Sequence, residues 1–225
     1  MRVFEDYCYR VEQRMKKLDE IHSSLLDTAK LSCPQLKEVI NRNGVLKLSK
    51  PKGRGKSLFS FLVRTVVGQQ LSKAAAETIY QRLLSKCNED EEAMFGLFVR
   101  KRKRTLLSCG LSKTKAEALC RLREAFESGA IDEKRLKKSS PSEINEQISS
   151  LWGFGKWSAD IVAMFYVNHP DIWPDGDGAI VRGLKLLEVE EQDELVESFA
   201  PYRSFLALHI WKGLDSGVIS SKSQS

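Results

Sequence analysis

Residues 151–165 read LWGFGKWSADIVAMF and place two glycines and two tryptophans just before a helical pattern. We expect one helix to end at Leu151 and a second to start near Lys156, with residues 153–155 forming the turn. Glycine permits unusual backbone angles and leaves the amides bare, so that a ligand can approach closely. The N–H groups and the dipole at the start of the second helix favour an anion. The stretch therefore predicts a helical hairpin that holds an anion, with a tight turn that only packs as the alternative.

Most of the remaining sequence also has the pattern of helices. Apolar residues recur at helical spacing, and Ser72 and Ser112 stand where N-caps are expected. Ser140, Pro141 and Glu143 match a cap, a first-turn proline and a capping-box glutamate. We therefore predict an all-α protein, a compact multi-helix assembly.

Three segments depart from the helical pattern. GVLKLSKP (44–51) is a short alternating candidate for a strand. KPKGRGK (50–56) is predicted to be a basic, glycine-rich connector, and SGVISSKSQS (216–225) has the composition of a frayed polar tail.

The composition favours an intracellular protein that could bind a polyanion. The 225 residues carry 36 Lys and Arg against 30 Asp and Glu, a formal net charge of +6. A basic surface suits phosphate contacts but also suits an ordinary basic enzyme. No apolar run is long enough to span a bilayer, and no signal peptide is visible, so we expect no membrane partner. The scattered cysteines predict reduced thiols and no zinc site: Cys8, Cys33, Cys87, Cys109 and Cys120.

Five ordered stretches resemble the helix-hairpin-helix (HhH-GPD) superfamily of base-excision DNA glycosylases. They cover about residues 55–215 and read VRTVVGQQLSKAAAETI, LLSCGLSKTKAEALCRL, LWGFGKWSAD, DIWPDGDGAIVRGL and APYRSFLALHIW. Together they look like the 3-methyladenine DNA glycosylase II branch, in a compact form without the extra N-terminal β domain. The resemblance implies one glycosylase unit over residues 1–225, two-lobed, with DNA and the base pocket in a cleft between two helical lobes. It places the helix-hairpin-helix motif at residues 143–168.

The resemblance implies that Asp177 is the catalytic residue. A glycosylase takes a nucleotide out of the stack and helps its base to leave C1′, where positive charge develops on the sugar. A nearby carboxylate can stabilise that charge or activate a water molecule. Asp177 also precedes a helix, so an N-cap is its alternative role. Asp175, two residues earlier, is the rival carboxylate in the loop.

Two tryptophans, Trp157 and Trp211, match positions that line the base pocket in the 3-methyladenine branch. An indole face attracts a cationic alkylated purine by ~0.5–2 kcal/mol, and core packing is the alternative role. Bifunctional relatives place a Schiff-base lysine at the position that Trp157 occupies here. Lys156 sits one residue earlier, about 100° away around a helix. The resemblance therefore implies a monofunctional enzyme with water as the nucleophile.

The resemblance further implies two DNA-binding segments and a cation site. The turn GQQLS resembles the segment that enters the minor groove and fills the gap left by the flipped base, with Gln70 as the wedge; an ordinary interhelical turn is the alternative. Carbonyls of the hairpin often hold Na⁺ or K⁺ in this superfamily, whereas four grouped cysteines for an iron–sulfur cluster are missing. No cofactor is expected to be required. The implied residues are Gln69, Gln70, Leu71, Ser72, Lys73, Gly153, Phe154, Gly155 and Lys156 for DNA, and the carbonyls of Ser149, Leu151 and Phe154 for the cation.

Three positions depart from the family pattern and affect the predicted substrate. Trp152 replaces a proline, Ile161 stands where some relatives carry an aromatic residue, and Gly178 stands where a larger apolar residue is common. We expect a monomer that acts on double-stranded DNA carrying 3-methyladenine or 7-methylguanine, in the cytoplasm and nucleoid or in a nucleus. A non-catalytic module for damaged or branched DNA and a glycosylase/lyase for oxidised purines are the alternatives.

Overall fold

The computed structural model describes residues 2–49 and 57–220, with side chains from residue 13 onward except that of residue 14. Within these ranges the secondary structure is helical and no residue forms a β-strand, which confirms the predicted all-α class. The α-helices are α1 (Arg2–Ser32), α2 (Pro34–Asn43), α3 (Leu58–Gly68), α4 (Lys73–Ser85), α5 (Lys103–Ser108), α6 (Lys113–Glu127), α7 (Glu133–Leu136), α8 (Pro141–Ser149), α9 (Lys156–Val162), α10 (Gly178–Leu186), α11 (Gln192–Ser198) and α12 (Arg203–Asp215). Two 3₁₀ turns (Ala93–Gly96, Arg100–Arg102) and one π turn (Ala163–Val167) complete the helical structure.

The chain divides into two compact units, residues 1–48 with 169–225 and residues 49–168. The first unit combines α1 and α2 with α10, α11 and α12, and the second contains α3 to α9. The cleft predicted between two lobes stays a prediction.

In the first unit, α12 packs against both α2 and α10. Gly183 on α10 makes the close approach possible, because an added Cβ there would lie 2.5 Å from Ile210 Cγ2. Gly213, one turn further along α12, does the same for Val39 of α2, whose Cγ1 lies 2.9 Å from the position of an added Cβ. The two glycines therefore allow α2 and α10 to pack closely against α12.

In the second unit, α3 is the central helix. Its sequence, LFSFLVRTVVG, is apolar on nearly every face, and α4, α6 and α9 pack around it. Such a pattern is typical of a fully buried helix. Its N-terminus is closed by the Ser57–Ser60 capping box and by Glu133, whose Oε2 accepts the Leu58 amide at 3.3 Å. Burial of α3 fixes where its C-terminal turn, residues 69–72, emerges.

The predicted caps are confirmed. Ser72 and Ser112 accept the amides of the third residue of their helices, at 3.3 and 3.1 Å. Ser140 and Glu143 form the predicted capping box at the start of α8. The hairpin prediction is also confirmed, since α8 ends at Ser149 and α9 begins at Lys156.

Two expectations about irregular segments are wrong. Residues 44–49 form no strand; Leu46 and Leu48 turn toward the core while Val45 and Lys47 stay exposed, but no neighbouring strand pairs with them in the described chain. The segment after α12 is not frayed as far as Ile219, which is 4% exposed and whose amide donates to Gly213 O at 2.9 Å. The predicted connector at residues 50–56 and residues 221–225 lie outside the described residues. No described helix is both long and apolar enough to cross a membrane.

Candidate active site and DNA-binding surface

Asp177 is the N-cap of α10. Its Oδ1 accepts the amides of Ala179 and Ile180, both at 3.0 Å, and thereby satisfies two of the N–H groups that a helix start leaves without partners. The preceding turn presents it, because the Asp177 amide donates to Pro174 O at 3.1 Å and Gly176 takes a φ of +74°. A positive φ at the third position is typical of a type II turn and suits glycine. Asp175 lies on this turn as an exposed residue.

Trp211 lies beside Asp177. Its indole Nε1 donates to Asp177 Oδ1 at 3.1 Å from α12, and the ring is half-buried. The contact depends on the close packing of α10 and α12 at Gly183. Two residues that the sequence predicted separately, 34 positions apart, are thus in direct contact.

His209, one helical turn from Gly213 on α12, is part of a polar cluster inside the same unit. Asn43 Nδ2 donates to His209 O at 2.9 Å, and Lys212 Nζ donates to Asn43 O at 3.0 Å. Burial, and to a smaller extent nearby His22 and Lys212, lowers the pKa of His209 to about 3. A neutral imidazole therefore stands in the core next to the helix face that carries Trp211, in keeping with a structural role for His209.

The two hairpin glycines differ in what requires them. Gly153 has a φ of +87°, and an added Cβ would lie 2.7 Å from Ala118 Cβ on α6, so conformation and packing both exclude a side chain. Gly155 is the N-cap of α9 with a φ of −126°, which any residue can adopt, and an added Cβ would meet nothing within 4 Å. No side chain caps α9. Gly155 therefore leaves the amides of the first turn open from outside.

Lys156 and Trp157 form the first residues of α9. Lys156 Nζ pairs with Asp160 Oδ2 at 3.0 Å, one turn further along the helix. Trp157 is half-buried and belongs to the second unit, whereas Asp177 and Trp211 belong to the first. Just before the turn, Trp152 is 42% exposed, and the Arg121 guanidinium lies 5.1 Å from the centre of its ring. The departure from proline thus places an exposed indole on the flank of the hairpin.

Residues 69–72, here called the wedge turn, link α3 to α4. Gln70 is exposed and has a φ of +56°, which is uncommon for a residue other than glycine. Leu71 beside it is 41% exposed. Ser72 caps α4 and Lys73 begins it, so the exposed tip consists of Gln70 and Leu71. The wedge role of Gln70 stays a prediction.

Gln69 connects the wedge turn to the hairpin. Its Nε2 donates to Gly153 O at 3.1 Å and to Ser158 Oγ at 3.3 Å. Lys115 of α6 donates from Nζ to Val67 O at 2.8 Å and to Gln69 O at 2.7 Å. The structure therefore brings the two predicted DNA-binding segments together through long-range contacts that the local sequence pattern does not reveal.

Four residues that hold this surface were missed as site residues: Lys115, Ala118, Arg121 and Ser158. The stretch that contains Lys115 and Ala118 was part of the family resemblance, but its pattern indicated only an amphipathic helix. Contacts with partners 48 and 46 residues away leave no local signal. Among the described residues, no three His, Cys, Asp or Glu side chains come close enough to hold a metal ion.

Known proteins with similar sequences are glycosylases. No family model matches the chain. It is 26% identical over 160 residues to the alkylbase DNA glycosidase-like protein mag2 of Schizosaccharomyces pombe, over 67% of this chain and 75% of that protein. It is 27% identical over 168 residues to DNA-3-methyladenine glycosylase 1 of the same yeast, over 70% and 72% of the two chains.

Solved structures give the same result for the fold. The 3-methyladenine DNA glycosylase Mag1 of S. pombe in complex with abasic DNA matches with a TM-score of 0.74 at 23% identity, over 87% of this chain and 97% of that chain. The DNA-3-methyladenine glycosidase of Bacillus halodurans matches with a TM-score of 0.67 at 26% identity, over 88% and 90% of the chains. The sequence relatives and the shared fold together support a DNA glycosylase of the helix-hairpin-helix type that acts in base-excision repair.

Proposed function

We propose that the protein is a monofunctional glycosylase of the 3-methyladenine DNA glycosylase II branch that hydrolyses the N-glycosidic bond of alkylated purines, 3-methyladenine and 7-methylguanine, in double-stranded DNA. The observation that carries the proposal is the Asp177 carboxylate, held on one oxygen by two α10 amides and the Trp211 indole. Relatives named for 3-methyladenine support the substrate class.

Asp177 would stabilise the positive charge that develops on the sugar or activate the attacking water. Three N–H donors fix the direction of its Oδ1, so the group needs little reorganisation during the reaction. Pre-oriented charge of this kind is commonly the largest single contribution to catalysis. The capping role and the catalytic role are compatible, because the cap is what orients the carboxylate.

Trp157 and Trp211 would line the base pocket. An alkylated purine carries positive charge and is attracted to an indole face. The bond to Asp177 fixes the direction of the Trp211 N–H group and so restricts the orientations of the indole against a stacked base. Alkylated purines are good leaving groups, so the reaction needs water and no cofactor.

The position of Lys156 supports hydrolysis by water without a Schiff base. Its ammonium is paired with Asp160 on the surface of α9, where its own side chain is 57% exposed. A Schiff-base lysine needs its amine at the sugar carbon, whereas the ion pair holds this amine against Asp160 of its own helix. We therefore assign Lys156 to phosphate contact rather than to strand cleavage.

DNA would be bound by the wedge turn and the hairpin. Gln70 and Leu71 would enter the stack, and Gly155 with the first-turn amides of α9 would approach a phosphate. The carbonyls of Ser149, Leu151 and Phe154 would hold Na⁺ or K⁺ next to that phosphate. The donor set fits a hard cation, because it consists of backbone carbonyl oxygens at the end of α8 and in the turn that follows. One of them, Leu151 O, also accepts the Phe154 amide at 3.0 Å. We further propose that the protein acts as a monomer within the cell, on chromosomal DNA.

A non-catalytic module for damaged DNA is the second candidate. One observation favours it: the bonds of Asp177 to Ala179 and Ile180 are those of an ordinary N-cap. Such a module would bind abasic DNA without releasing any base.

The two candidates are separated by treating duplex DNA with a methylating agent, incubating it with the protein and identifying the released bases by chromatography. Free 3-methyladenine or 7-methylguanine supports the glycosylase, and binding to an abasic duplex without any release supports the module. Borohydride is added in a parallel reaction. A covalent protein–DNA adduct there would contradict the monofunctional assignment.

A further inference from the structure

Helix α6 contacts both segments that we propose to meet DNA. Lys115 lies in its first turn and Ala118 three residues further, so the two side chains share one face of the helix. The Lys115 ammonium reaches the end of α3, and Ala118 fills the space beside Gly153. One helix face thus positions both the wedge turn and the hairpin.

The end of α3 needs a donor at this place. The last carbonyls of a helix lack intrahelical partners, and many helices satisfy them with amides of a glycine-ended cap. Here Gln69 is the C-cap and Gln70, not a glycine, takes the left-handed conformation. The Lys115 ammonium donates to Val67 O and Gln69 O at 2.8 and 2.7 Å. Lysine suits this task because its three donors converge on two carbonyls from a single atom.

The side chain of Gln69 extends the connection sideways. Its Nε2 donates to Gly153 O and Ser158 Oγ, so the main chain that Lys115 holds is also bonded to the hairpin. Gln70, the next residue, projects its exposed side chain from between these fixed points. Any displacement of the tip would break bonds to two other elements.

We propose that Lys115 is a positioning residue for base flipping, which together with Gln69 fixes the Gln70 tip relative to the hairpin so that DNA meets one rigid surface. The inference rests on the proposed function, because it assumes that the wedge turn enters the stack. A rigid tip lowers the cost of ordering this surface at the moment when the base leaves the helix. Partial burial lowers the pKa of Lys115, in keeping with a side chain enclosed by protein.

The test uses Lys115→Met, which keeps an unbranched side chain of similar length but removes the donors. Lys113→Met is the matched control, since it removes the same charge from an exposed position on the same helical turn. Three quantities are measured: affinity for undamaged duplex, fluorescence of 2-aminopurine placed next to the lesion as a report of flipping, and the single-turnover rate of base release. For Lys115→Met we expect at least about a tenfold loss in flipping and release, with affinity for undamaged duplex within about twofold of wild type. Lys113→Met should leave flipping and release within about twofold.

A double mutant shows whether Lys115 acts through the tip. Lys115→Met is combined with Gln70→Ala. In the Gln70→Ala background, Lys115→Met should barely change base flipping or release, because both changes act through the same turn. Additive effects would overturn the proposal. If Lys115→Met is too unstable to purify, Gln69→Met breaks the bonds to Gly153 and Ser158 while keeping Lys115, and the same selective loss is expected.

The remaining outcomes are distinct. If Lys115→Met and Gln69→Met both flip and release the base as well as wild type does, the positioning role is refuted. A parallel fall in thermal stability and in affinity for undamaged duplex would reduce Lys115 to a folding residue and would also refute it. If wild type releases no base, the proposed glycosylase fails; selective loss of the 2-aminopurine signal in Lys115→Met would then still support the positioning role.

Discussion

Two helix starts carry most of the proposed chemistry, and their ends are completed in opposite ways. Helix α10 begins with Asp177, whose carboxylate accepts two of its own amides. Helix α9 begins with Gly155, which offers no side chain, and nothing lies within 4 Å of the position of its absent Cβ. Both helix starts have first-turn N–H groups that lack intrahelical partners, and both have the same positive dipole end.

The difference shows how one physical feature serves two purposes. At α10 the protein supplies the anion itself, and the amides fix the direction of the carboxylate that we propose for catalysis. At α9 no side chain takes the place of the anion, and we propose that a DNA phosphate binds there. An N-cap residue therefore decides whether a helix start orients an internal group or binds an external one.

The largest effect is expected from Asp177→Asn. Asparagine caps a helix as well as aspartate does, so α10 should stay folded. The loss of the carboxylate should lower the rate of base release by about 10²–10³-fold, as for the loss of one key electrostatic contact in other enzymes. Single-turnover release from methylated duplex measures the rate, and binding to abasic duplex reports on folding. Asp175→Asn is the control. An equal fall in its rate of base release would contradict the assignment of the catalytic role to Asp177.

Acid should destabilise the unit that carries α10, because this unit contains the buried His209. The pKa of His209 is about 3 when folded, well below its usual value of about 6.5. The unfolded chain then binds the extra proton between these values, so stability is full above about pH 6.5 and falls as the pH drops toward 3. At about pH 5 the free energy of unfolding should be lower by about 2 kcal/mol.

Urea unfolding at about pH 7 and about pH 5 measures this loss. His209→Gln keeps a hydrogen-bonding side chain but has no proton to gain in this range, so its loss should be much smaller. An equal loss in both proteins would place the acid sensitivity elsewhere.

Closing the open start should convert α9 into a second self-capped helix. In Gly155→Asp the new carboxylate can accept the first-turn amides, and neither the backbone angle nor the surroundings resist it. Stability should be equal or slightly higher, whereas affinity for duplex DNA should fall about tenfold because the carboxylate repels phosphate.

Gly155→Asn is the control for this change, because it caps equally well without charge. Fluorescence anisotropy with labelled duplex gives both affinities. If the two variants bind duplex DNA equally well, the charge of the new side chain does not affect binding at the start of α9.

The smallest effect is expected from Trp211→Phe. The ring is kept, but Asp177 Oδ1 loses the indole donor at 3.1 Å while both amide bonds remain. One hydrogen bond to a charged acceptor is worth about 1.5–3 kcal/mol at most, and two remaining donors reduce its effect, so we expect about a three- to tenfold fall in release rate. Trp157→Phe, in the other unit, tests the pocket without touching this bond. A Trp211→Phe rate equal to wild type would show that the two amides alone orient the carboxylate.

Local chemistry could be predicted from the sequence. The caps at Ser72, Ser112 and Ser140 depend on residues within one turn, and so does the role of Asp177 at the start of α10. The glycine-rich turn of the hairpin is equally local. These features were found because a helix start is satisfied by its own neighbours in the chain.

Long-range contacts could not be predicted. The bonds of Lys115 to the end of α3, of Gln69 to Gly153 and of Trp211 to Asp177 join residues separated by 34 to 84 positions. The strand predicted for residues 44–51, which is absent from the described residues 44–49, has a related cause. The alternation of Leu46 and Leu48 with exposed residues indicates an extended chain with one face on the core. A β-strand also needs a neighbouring strand to pair with, and the alternation does not indicate such a partner.

The burial of Ile219 has a practical consequence for the experiments above. Its side chain fills the space beside Gly213 and Val39, so shortening the protein to residue 216 would open a cavity between α12 and α2 behind the helix that carries Trp211. Fluorescent labels and affinity tags should therefore be attached beyond Ser220, where they do not disturb the packing of Ile219.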